Sequence, residues 1–223
     1  MGVAVEAVIW DFGGVLTSSP FEAFNRFEAE RGLPKDLIRT INATNPHDNA
    51  WARFERAEID RAAFDLQFRE ESAAFGQSVG GGEVLALIGG DLRPRMVAAL
   101  QLCKQSFKVG CITNNMNHGE GPGMVATSDG ASRIGGVLAL FDAVIESSKA
   151  GVRKPDPRIY LMMCELLAVQ PASCVYLDDL GVNCKPAAEL GMKAIKVLNQ
   201  DQALADLAQA TTLTFADGAS PAA

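Results

Sequence analysis

The chain is short of positive charge, paired cysteines and long hydrophobic runs. Its 20 basic residues against 27 acidic ones give a net charge of -7, which opposes nucleic-acid binding because recognition of a duplex backbone needs clustered lysine and arginine. No apolar stretch approaches the ~20 residues of a membrane span, and the N-terminus lacks a basic region followed by a hydrophobic segment, so we expect a soluble, cytoplasmic protein. The five cysteines are odd in number and lack paired spacing, which predicts reduced thiols in a core and no zinc site.

Short apolar segments alternate with helical patterns over most of the 223 residues. Near-continuous apolar strands are typical of parallel sheets covered on both faces. The alternation therefore predicts an α/β fold with an open parallel sheet and right-handed crossovers. The predicted strands are 5–10, 107–113, 143–145, 174–177 and 194–198, and the predicted helices of this part are 94–105, 157–169, 185–190 and 202–210.

Residues 18–93 depart from this alternation, because they contain successive helical patterns and no convincing strand. A chain of this length has room for one α/β core and a smaller inserted unit. We therefore expect an all-helical insert. The glycine-rich residues 117–136 predict a mobile segment after the second core strand, and the tail 217–223 is expected to fray.

Polar residues follow the first two predicted strands of the sheet. Asp11 comes directly after the apolar Val8-Ile9-Trp10 and precedes a glycine-containing turn, where it is either an accessible nucleophile or an ordinary turn residue. Thr113 and Asn114 close the next apolar run. Their hydroxyl and backbone N–H groups are suited to phosphate oxygens, and equally to capping a following helix.

Charged residues follow the later strands. Lys154 is followed by Pro155 and Pro157, and this rigid context favours a lysine that points into a site over one in solvent, whereas the neighbouring Arg153 is expected to be exposed. The adjacent Asp178 and Asp179 repel each other unless a cation or hydrogen bonds compensate. Mg²⁺ prefers oxygen ligands and would give that compensation; an acidic surface loop is the alternative, and the buried strand before the pair disfavours it.

Taken together, these positions resemble the four ordered motifs of the haloacid dehalogenase (HAD) superfamily, over nearly the whole chain. Residues 151–160 and 176–183 carry the likeness, which is strongest to the phosphatase-like amino-terminal domains of soluble epoxide hydrolases. The resemblance implies a Rossmann-like core of residues 1–17 and 94–223, with a small helical cap, residues 18–93, inserted after the first motif.

The resemblance also implies a role for each matching residue. Asp11 would be the nucleophile and a Mg²⁺ ligand, and Lys154 would neutralise the nucleophile and the substrate. The phosphate would be held by Phe12, Gly13, Thr113, Asn114 and Lys154. The metal would be bound directly by Asp11, Asp178 and the backbone carbonyl of Gly13, and Asp179 would be a further ligand or act through the other ligands. Asn183 would support the Asp178–Asp179 loop.

Gly13 is the departure from the family pattern, because phosphatases of the superfamily usually have a second aspartate there that protonates the leaving alcohol and activates water. A positioned acid–base group contributes roughly 10²–10⁴ in rate, so its absence should slow the turnover of poor leaving groups. A cap residue such as His47, Asp48 or Glu58, or water on the metal, could replace it, and the sequence does not choose among them. Both histidines, His47 and His118, are interpreted as solvated residues.

These features predict a Mg²⁺-dependent hydrolase of phosphomonoesters that acts through an aspartyl-phosphate on a small metabolite or a lipid-type phosphate. A metal-independent haloacid dehalogenase is the first alternative, because those enzymes also lack the second aspartate. It is disfavoured because the acidic pair would bring negative charge to a site that must attract a haloacid. The second alternative is a HAD-fold ligand-binding or regulatory protein with weakened catalysis.

Overall fold

The computed structural model describes residues 3–115 and 128–215, and for residues 128–131 it describes the backbone alone. Its centre is a five-stranded parallel sheet in the order β3-β2-β1-β4-β5. The predicted open parallel sheet and α/β fold class are confirmed. The strands are β1 Ala7–Trp10, β2 Lys108–Thr113, β3 Ala143–Glu146, β4 Cys174–Asp178 and β5 Lys193–Lys196.

The helices of the described residues divide into those between β1 and β2 and those that connect the remaining strands. The former are α1 Pro20–Glu30, α2 Leu37–Ala43, α3 Ala50–Glu55, α4 Arg61–Ala73 and α5 Gly81–Leu85, followed by α6 Pro94–Lys104, which leads into β2. The latter are α7 Ser128–Leu138, α8 Ser147–Ala150, α9 Pro157–Leu167, a 3₁₀ turn Pro171–Ser173, α10 Gly181–Glu189 and α11 Gln200–Thr211.

The central strand β1 is buried on both faces, which explains its uninterrupted apolar sequence. Successive side chains of a strand point to opposite faces, so Val8 and Trp10 join one core cluster, which includes α6 and α11. Ala7 and Ile9 join a second cluster on the other face, which includes α9. Helices on both faces leave the two ends of the strands as the places where polar side chains can reach a ligand.

Helices α1 to α5 pack around a third, separate apolar cluster rich in phenylalanine. The two connections between this helical segment and the sheet run side by side, since Thr17 and Leu92 form an antiparallel bridge. Backbone hydrogen bonds from Ser18 N–H to Asp91 and from Arg93 N–H to Leu16, both of 2.8 Å, complete this paired connection. The segment is thus joined to the sheet by two short, adjacent stretches of chain.

The sequence predictions lack helix α8 and differ from the structure at α7 and α10. Helix α7 occupies residues 128–138, so the expectation of a mobile segment is wrong for residues 128–136. The glycines of this helix lower its propensity to form. Burial of Ile134 and Val137 in the first core cluster outweighs that cost. Helix α10 begins at Gly181, four residues before the predicted 185, because Asn183 and Cys184 are already buried. Residues 116–127, including His118, and the tail 217–223 lie outside the described residues.

All five cysteines are buried free thiols, as the sequence predicts. Within 3–115 and 128–215, no helix combines the length and the apolar character that crossing a bilayer requires.

Candidate active site

The candidate site lies at the carboxyl end of the sheet. β1 pairs in parallel with both β2 and β4, with Trp10 opposite Cys111 and Leu177. Asp11 is the next residue after β1 and its N–H donates to the Leu177 carbonyl over 2.8 Å, while Asp178 is the last residue of β4. The register therefore places the two carboxylates side by side at this edge, the usual position of ligand sites in open α/β sheets.

Lys154 brings a positive charge between these carboxylates. Its Nζ lies 2.7 Å from Asp11 Oδ1 and 2.8 Å from Asp178 Oδ2, and it donates to the Ile112 carbonyl over 2.9 Å. The side chain is 1% exposed. Burial by itself lowers the pKa of Lys154, but Asp11 and Asp178 outweigh it and the net shift is upward, so the ammonium stays charged.

Asp11 is buried, which disfavours its ionised form, and Lys154 only partly offsets this effect. Its Oδ1 also accepts the Phe12 N–H over 2.6 Å. Burial raises the pKa of Asp11 well above its ordinary value, Lys154 opposes this, and the charges of Asp178 and Asp179 raise the pKa further. A second cation at the site would stabilise the ionised carboxylate that nucleophilic attack requires.

The acidic residues form a cluster suited to such a cation. Asp11, Asp178 and Asp179 each offer a carboxylate oxygen within 4.8 Å of the others. Three carboxylates face one ammonium group, so the oxygen atoms of the cluster carry a net negative charge. Burial, followed by the charge of Asp178, raises the pKa of Asp179 to about 6. This donor set fits Mg²⁺, which binds carboxylates and retains several waters.

Asp178 is the member of this cluster that already has its hydrogen bonds filled. Its Oδ1 accepts from Leu180 N–H at 2.8 Å and Asn183 Nδ2 at 3.1 Å, and its Oδ2 accepts from Lys154 and from the Tyr176 hydroxyl at 2.5 Å. With both oxygens occupied, Asp178 is arranged to hold Lys154. Direct metal ligation by Asp178, which the resemblance implies, stays a prediction beside this role.

Asp179 has a different environment, at the mouth of the site. It is half-buried, and its Oδ2 accepts from Ser19 Oγ at 3.3 Å, where the helical segment begins. Gly14 lies directly against it: a Cβ on Gly14 would come within 2.1 Å of Asp179 Oδ2. Arg93 donates to the Gly14 carbonyl over 2.7 Å and so ties the second connection of the helical segment to the nucleophile loop.

Gly14→Ala is expected to destabilise the protein by about 1–3 kcal/mol and to weaken Mg²⁺ binding, because Gly14 has φ +75° and the new methyl group would displace Asp179. Gly76→Ala is the matched control: Gly76 has φ +73°, but a Cβ there meets no atom within 4 Å in the part of the chain that the structure describes. Urea denaturation and Mg²⁺ titration of both variants would test this. Equal Mg²⁺ affinity in the two variants would contradict a role of Asp179 in binding the metal.

Thr113 and Asn114 lie beside Lys154 at the end of β2. Thr113 is buried and is the last residue of the strand. The Asn114 side chain makes a reciprocal pair with the Lys154 backbone, accepting its N–H at 2.9 Å and donating to its carbonyl at 3.0 Å. The amide therefore holds the lysine loop, and any contact of Asn114 with phosphate would rest on its backbone.

The residues of the helical segment considered as replacements for an acid at position 13 are all exposed. His47 and Asp48 are exposed. Glu58 is exposed and accepts two hydrogen bonds, of 2.6 and 2.9 Å, from Arg56, which lower its pKa, so it is ionised and poorly suited to donate a proton. A Cβ built on Gly13 meets no atom of the described residues within 4 Å.

The prediction that Arg153 is exposed is wrong. Its guanidinium lies 2.5 Å from a carboxylate oxygen of the buried Glu55, at the end of α3, and donates to the Pro46 carbonyl over 3.0 Å. Ser147, at the start of α8, donates to the Glu55 carbonyl over 2.7 Å. The sequence carries no local signal for these contacts, because their partners are more than ninety residues apart.

The fold and this site define a class of hydrolase. A family model for haloacid dehalogenase-like hydrolases matches residues 5–191. The chain therefore belongs to the haloacid dehalogenase-like hydrolases, and both the predicted family and the prediction of a hydrolytic enzyme are confirmed.

Curated relatives cover nearly the whole chain. It is 31% identical to mouse acyl-CoA dehydrogenase family member 10 over 92% of the chain and 19% of that protein, and 29% identical to mouse bifunctional epoxide hydrolase 2 over 98% and 41%. The chain thus spans less than half the length of either. It is also 27% identical to Phosphatase MT3486 of Mycobacterium tuberculosis (strain CDC 1551 / Oshkosh), over 98% of the chain and 100% of that protein.

Solved structures share the fold at low sequence identity. A HAD family enzyme of Bacteroides thetaiotaomicron, in complex with magnesium and inorganic phosphate, is 19% identical with a TM-score of 0.56, covering 86% of this chain and 93% of that one. An L-2-haloacid dehalogenase of Xanthobacter autotrophicus with covalently bound chloropropionic acid is 21% identical with a TM-score of 0.57, covering 96% and 85%. These likenesses establish the fold.

Proposed function

We propose that the protein is a Mg²⁺-dependent hydrolase of phosphomonoesters that acts through an aspartyl-phosphate on Asp11. The observation that carries this proposal is the contact of Lys154 with both Asp11 and Asp178 at a strand end where Asp179 adds a further carboxylate. One lysine does not balance three carboxylates, so the site favours a divalent cation. The phosphatase name of the full-length mycobacterial relative supports the same reaction class.

The residues of the site would have separate roles in binding the metal, in attack and in neutralising charge. Asp11, Asp179 and the Gly13 carbonyl would hold Mg²⁺, which supplies positive charge to the phosphate oxygens when bound. Asp11 Oδ1 accepts from Phe12 N–H and lies 2.7 Å from Lys154 Nζ, so within the described part of the chain Oδ2 is the oxygen of Asp11 that carries no hydrogen bond. Lys154 neutralises charge that develops on the phosphoryl group.

The phosphoryl group would be held from two sides. The Thr113 hydroxyl and the Asn114 backbone would contact its oxygens from β2, and the Gly13 N–H would contact them from the nucleophile loop, where the Phe12 N–H already donates to Asp11 Oδ1. Attack by Asp11 forms the aspartyl–phosphorus bond and breaks the bond to the substrate oxygen, which leaves as the alcohol after taking a proton from water. Water then cleaves the aspartyl-phosphate, releasing inorganic phosphate and restoring Asp11.

Residues 18–93 would form a cap over this site, with residues 1–17 and 94–223 as the core. Supporting this division are the separate apolar cluster of the helical segment and its paired connections at residues 16–18 and 91–93. The Arg153–Glu55 ion pair would hold the cap against the core beside Lys154. Substrate selection would then depend on cap residues that face the site.

The decisive assay is hydrolysis of an activated aryl phosphate with Mg²⁺ and with EDTA. We expect Mg²⁺-dependent release of inorganic phosphate that EDTA abolishes and added Mg²⁺ restores. The Asp11→Asn variant supplies the background rate. Wild-type turnover no faster than this background would refute phosphomonoester hydrolysis.

Gly13 supports one alternative, a dehalogenase of the same fold, because a halide leaving group needs no proton. The acidic cluster opposes it, since Asp178 and Asp179 would repel a haloacid carboxylate. Release of chloride from 2-chloropropionate in the presence of EDTA would favour the dehalogenase over the phosphatase.

The hydrogen bonds of the acidic pair predict which member binds the metal. Asp179→Asn is expected to raise the Mg²⁺ concentration for half-maximal activity by at least about 10-fold, because it removes a ligand. Asp178→Asn is expected to lower the free energy of unfolding instead, because it removes the charge that pairs with the buried Lys154. The Mg²⁺ requirement of this variant should be nearly unchanged. Mg²⁺ titration and urea denaturation of both variants would distinguish the roles, and the reverse pattern would assign direct ligation to Asp178.

A further inference from the structure

Tyr176 connects the interior of the sheet to the charged groups of the site. It lies on β4 two residues before Asp178, so both side chains point to the same face. Its hydroxyl is 2.5 Å from Asp178 Oδ2, and the side chain is fully buried. In the sequence this residue is part of an apolar strand, with nothing to mark it as a site residue.

The Tyr176 hydroxyl and the Lys154 ammonium donate to the same oxygen of Asp178, at 2.5 and 2.8 Å. The ammonium also reaches Asp11, at 2.7 Å. A continuous chain of contacts therefore runs from Tyr176 through Asp178 and Lys154 to the nucleophile. The tyrosine is the end of this chain that carries no formal charge.

We propose that Tyr176 is a positioning residue for this reaction, acting through Asp178 on Lys154; this inference rests on the proposed phosphatase function. The phenol fixes the Asp178 carboxylate and draws negative charge from the oxygen that faces Lys154. Asp178 then competes less strongly for the ammonium, which stays shared with Asp11 and available to the transferring phosphoryl group. Without the hydroxyl, Lys154 pairs more closely with Asp178 and its contribution to the reaction falls.

A hydroxyl at position 176 has no packing purpose that phenylalanine would not serve. Burying a hydroxyl is unfavourable unless it is hydrogen-bonded, and a hydrogen bond to a charged group is stronger than one to a neutral group. Tyr160, the other of the two tyrosines, stacks edge-on against Tyr176 with ring centroids 5.2 Å apart and is equally buried. Its hydroxyl donates to the Asn183 carbonyl over 2.8 Å, so it offers a matched control.

The experiment compares Tyr176→Phe with Tyr160→Phe, each of which removes one buried phenolic oxygen. For Tyr176→Phe we expect kcat on an aryl phosphate to fall about 10-fold, while KM and the Mg²⁺ concentration for half-maximal activity stay within about twofold. Tyr160→Phe should lower the urea midpoint by a similar amount and keep kcat within about twofold of wild type. Wild-type kcat in Tyr176→Phe, or an equal fall in both variants, would overturn the inference.

A second measurement keeps the inference separate from the proposed function. A double-mutant cycle of Tyr176→Phe and Asp178→Asn, followed by urea denaturation, measures whether the two groups are coupled. Non-additive shifts of the midpoint support the contact, and additive shifts overturn it, whether or not the wild type hydrolyses phosphate. An inactive wild type with a coupled pair would defeat the phosphatase proposal alone.

Discussion

Asp11→Asn is expected to lower kcat for an activated aryl phosphate by at least about 10³-fold, because it removes the nucleophile itself. Asparagine has the same size and can still accept the Phe12 N–H, which now bonds Asp11 Oδ1 at 2.6 Å. Lys154 keeps Asp178 and the Ile112 carbonyl as partners. The variant should therefore fold and lose its chemistry.

The expected stability of this variant makes the test sharper. Burial and the neighbouring acids raise the pKa of Asp11 in the folded state, so the ionised carboxylate opposes folding at neutral pH. The neutral amide removes that repulsion. In the absence of metal, Asp11→Asn should be at least as stable as the wild type in urea. Loss of activity together with a large loss of stability would instead mean that Asp11 has a structural role.

Gly13→Asp is expected to increase kcat/KM on alkyl phosphates by about 10²-fold, near the lower end of the 10²–10⁴ that a positioned acid–base group contributes. Residues 3–115 and 128–215 leave room for this change, because a Cβ on Gly13 meets none of their atoms within 4 Å and the φ of Gly13 is not positive. Activated aryl phosphates should gain much less, since their leaving groups need no proton. The ratio of the two gains is the measured quantity.

Gly13→Asn is the matched control for this experiment, because asparagine has nearly the same volume and cannot transfer the proton. It should leave the alkyl-to-aryl ratio at the wild-type value. An equal rise in both variants would attribute the gain to backbone rigidity at position 13. No gain in either would mean that another group already protonates the leaving alcohol or that chemistry is not rate-limiting.

The polar residues at strand ends were accessible to sequence reasoning for a simple physical reason. Asp11 and Asp178 each come at the end of a buried apolar strand, and parallel strands bring their carboxyl ends to one edge of a sheet. The two prolines of Lys-Pro-Asp-Pro predicted that Lys154 points into the site. The structure places its Nζ between the carboxylates of Asp11 and Asp178. Their catalytic roles remain proposals that the variants above would test.

Other features depend on contacts that no local pattern encodes. Asp178 and Asp179 are the same residue type in adjacent positions, and only their surroundings distinguish them. Asp178 accepts hydrogen bonds from β4, α10 and Lys154, whereas Asp179 lies against Ser19 and Gly14. The partial burial of Arg153 follows from the position of Glu55 on α3. Helix α7 formed despite its glycines because Ile134 and Val137 are buried against the sheet.

The amino-acid sequence by itself determined the α/β class, the parallel sheet and the family, because apolar periodicity and residues at strand ends are local properties of the chain. The tertiary structure alone decided the hydrogen-bond partners of each acid at the site, which tyrosine touches the charged groups and how Arg153 joins the helical segment to the sheet. Each of these depends on distances between side chains far apart in sequence, and those distances are set only when the strands and helices pack together.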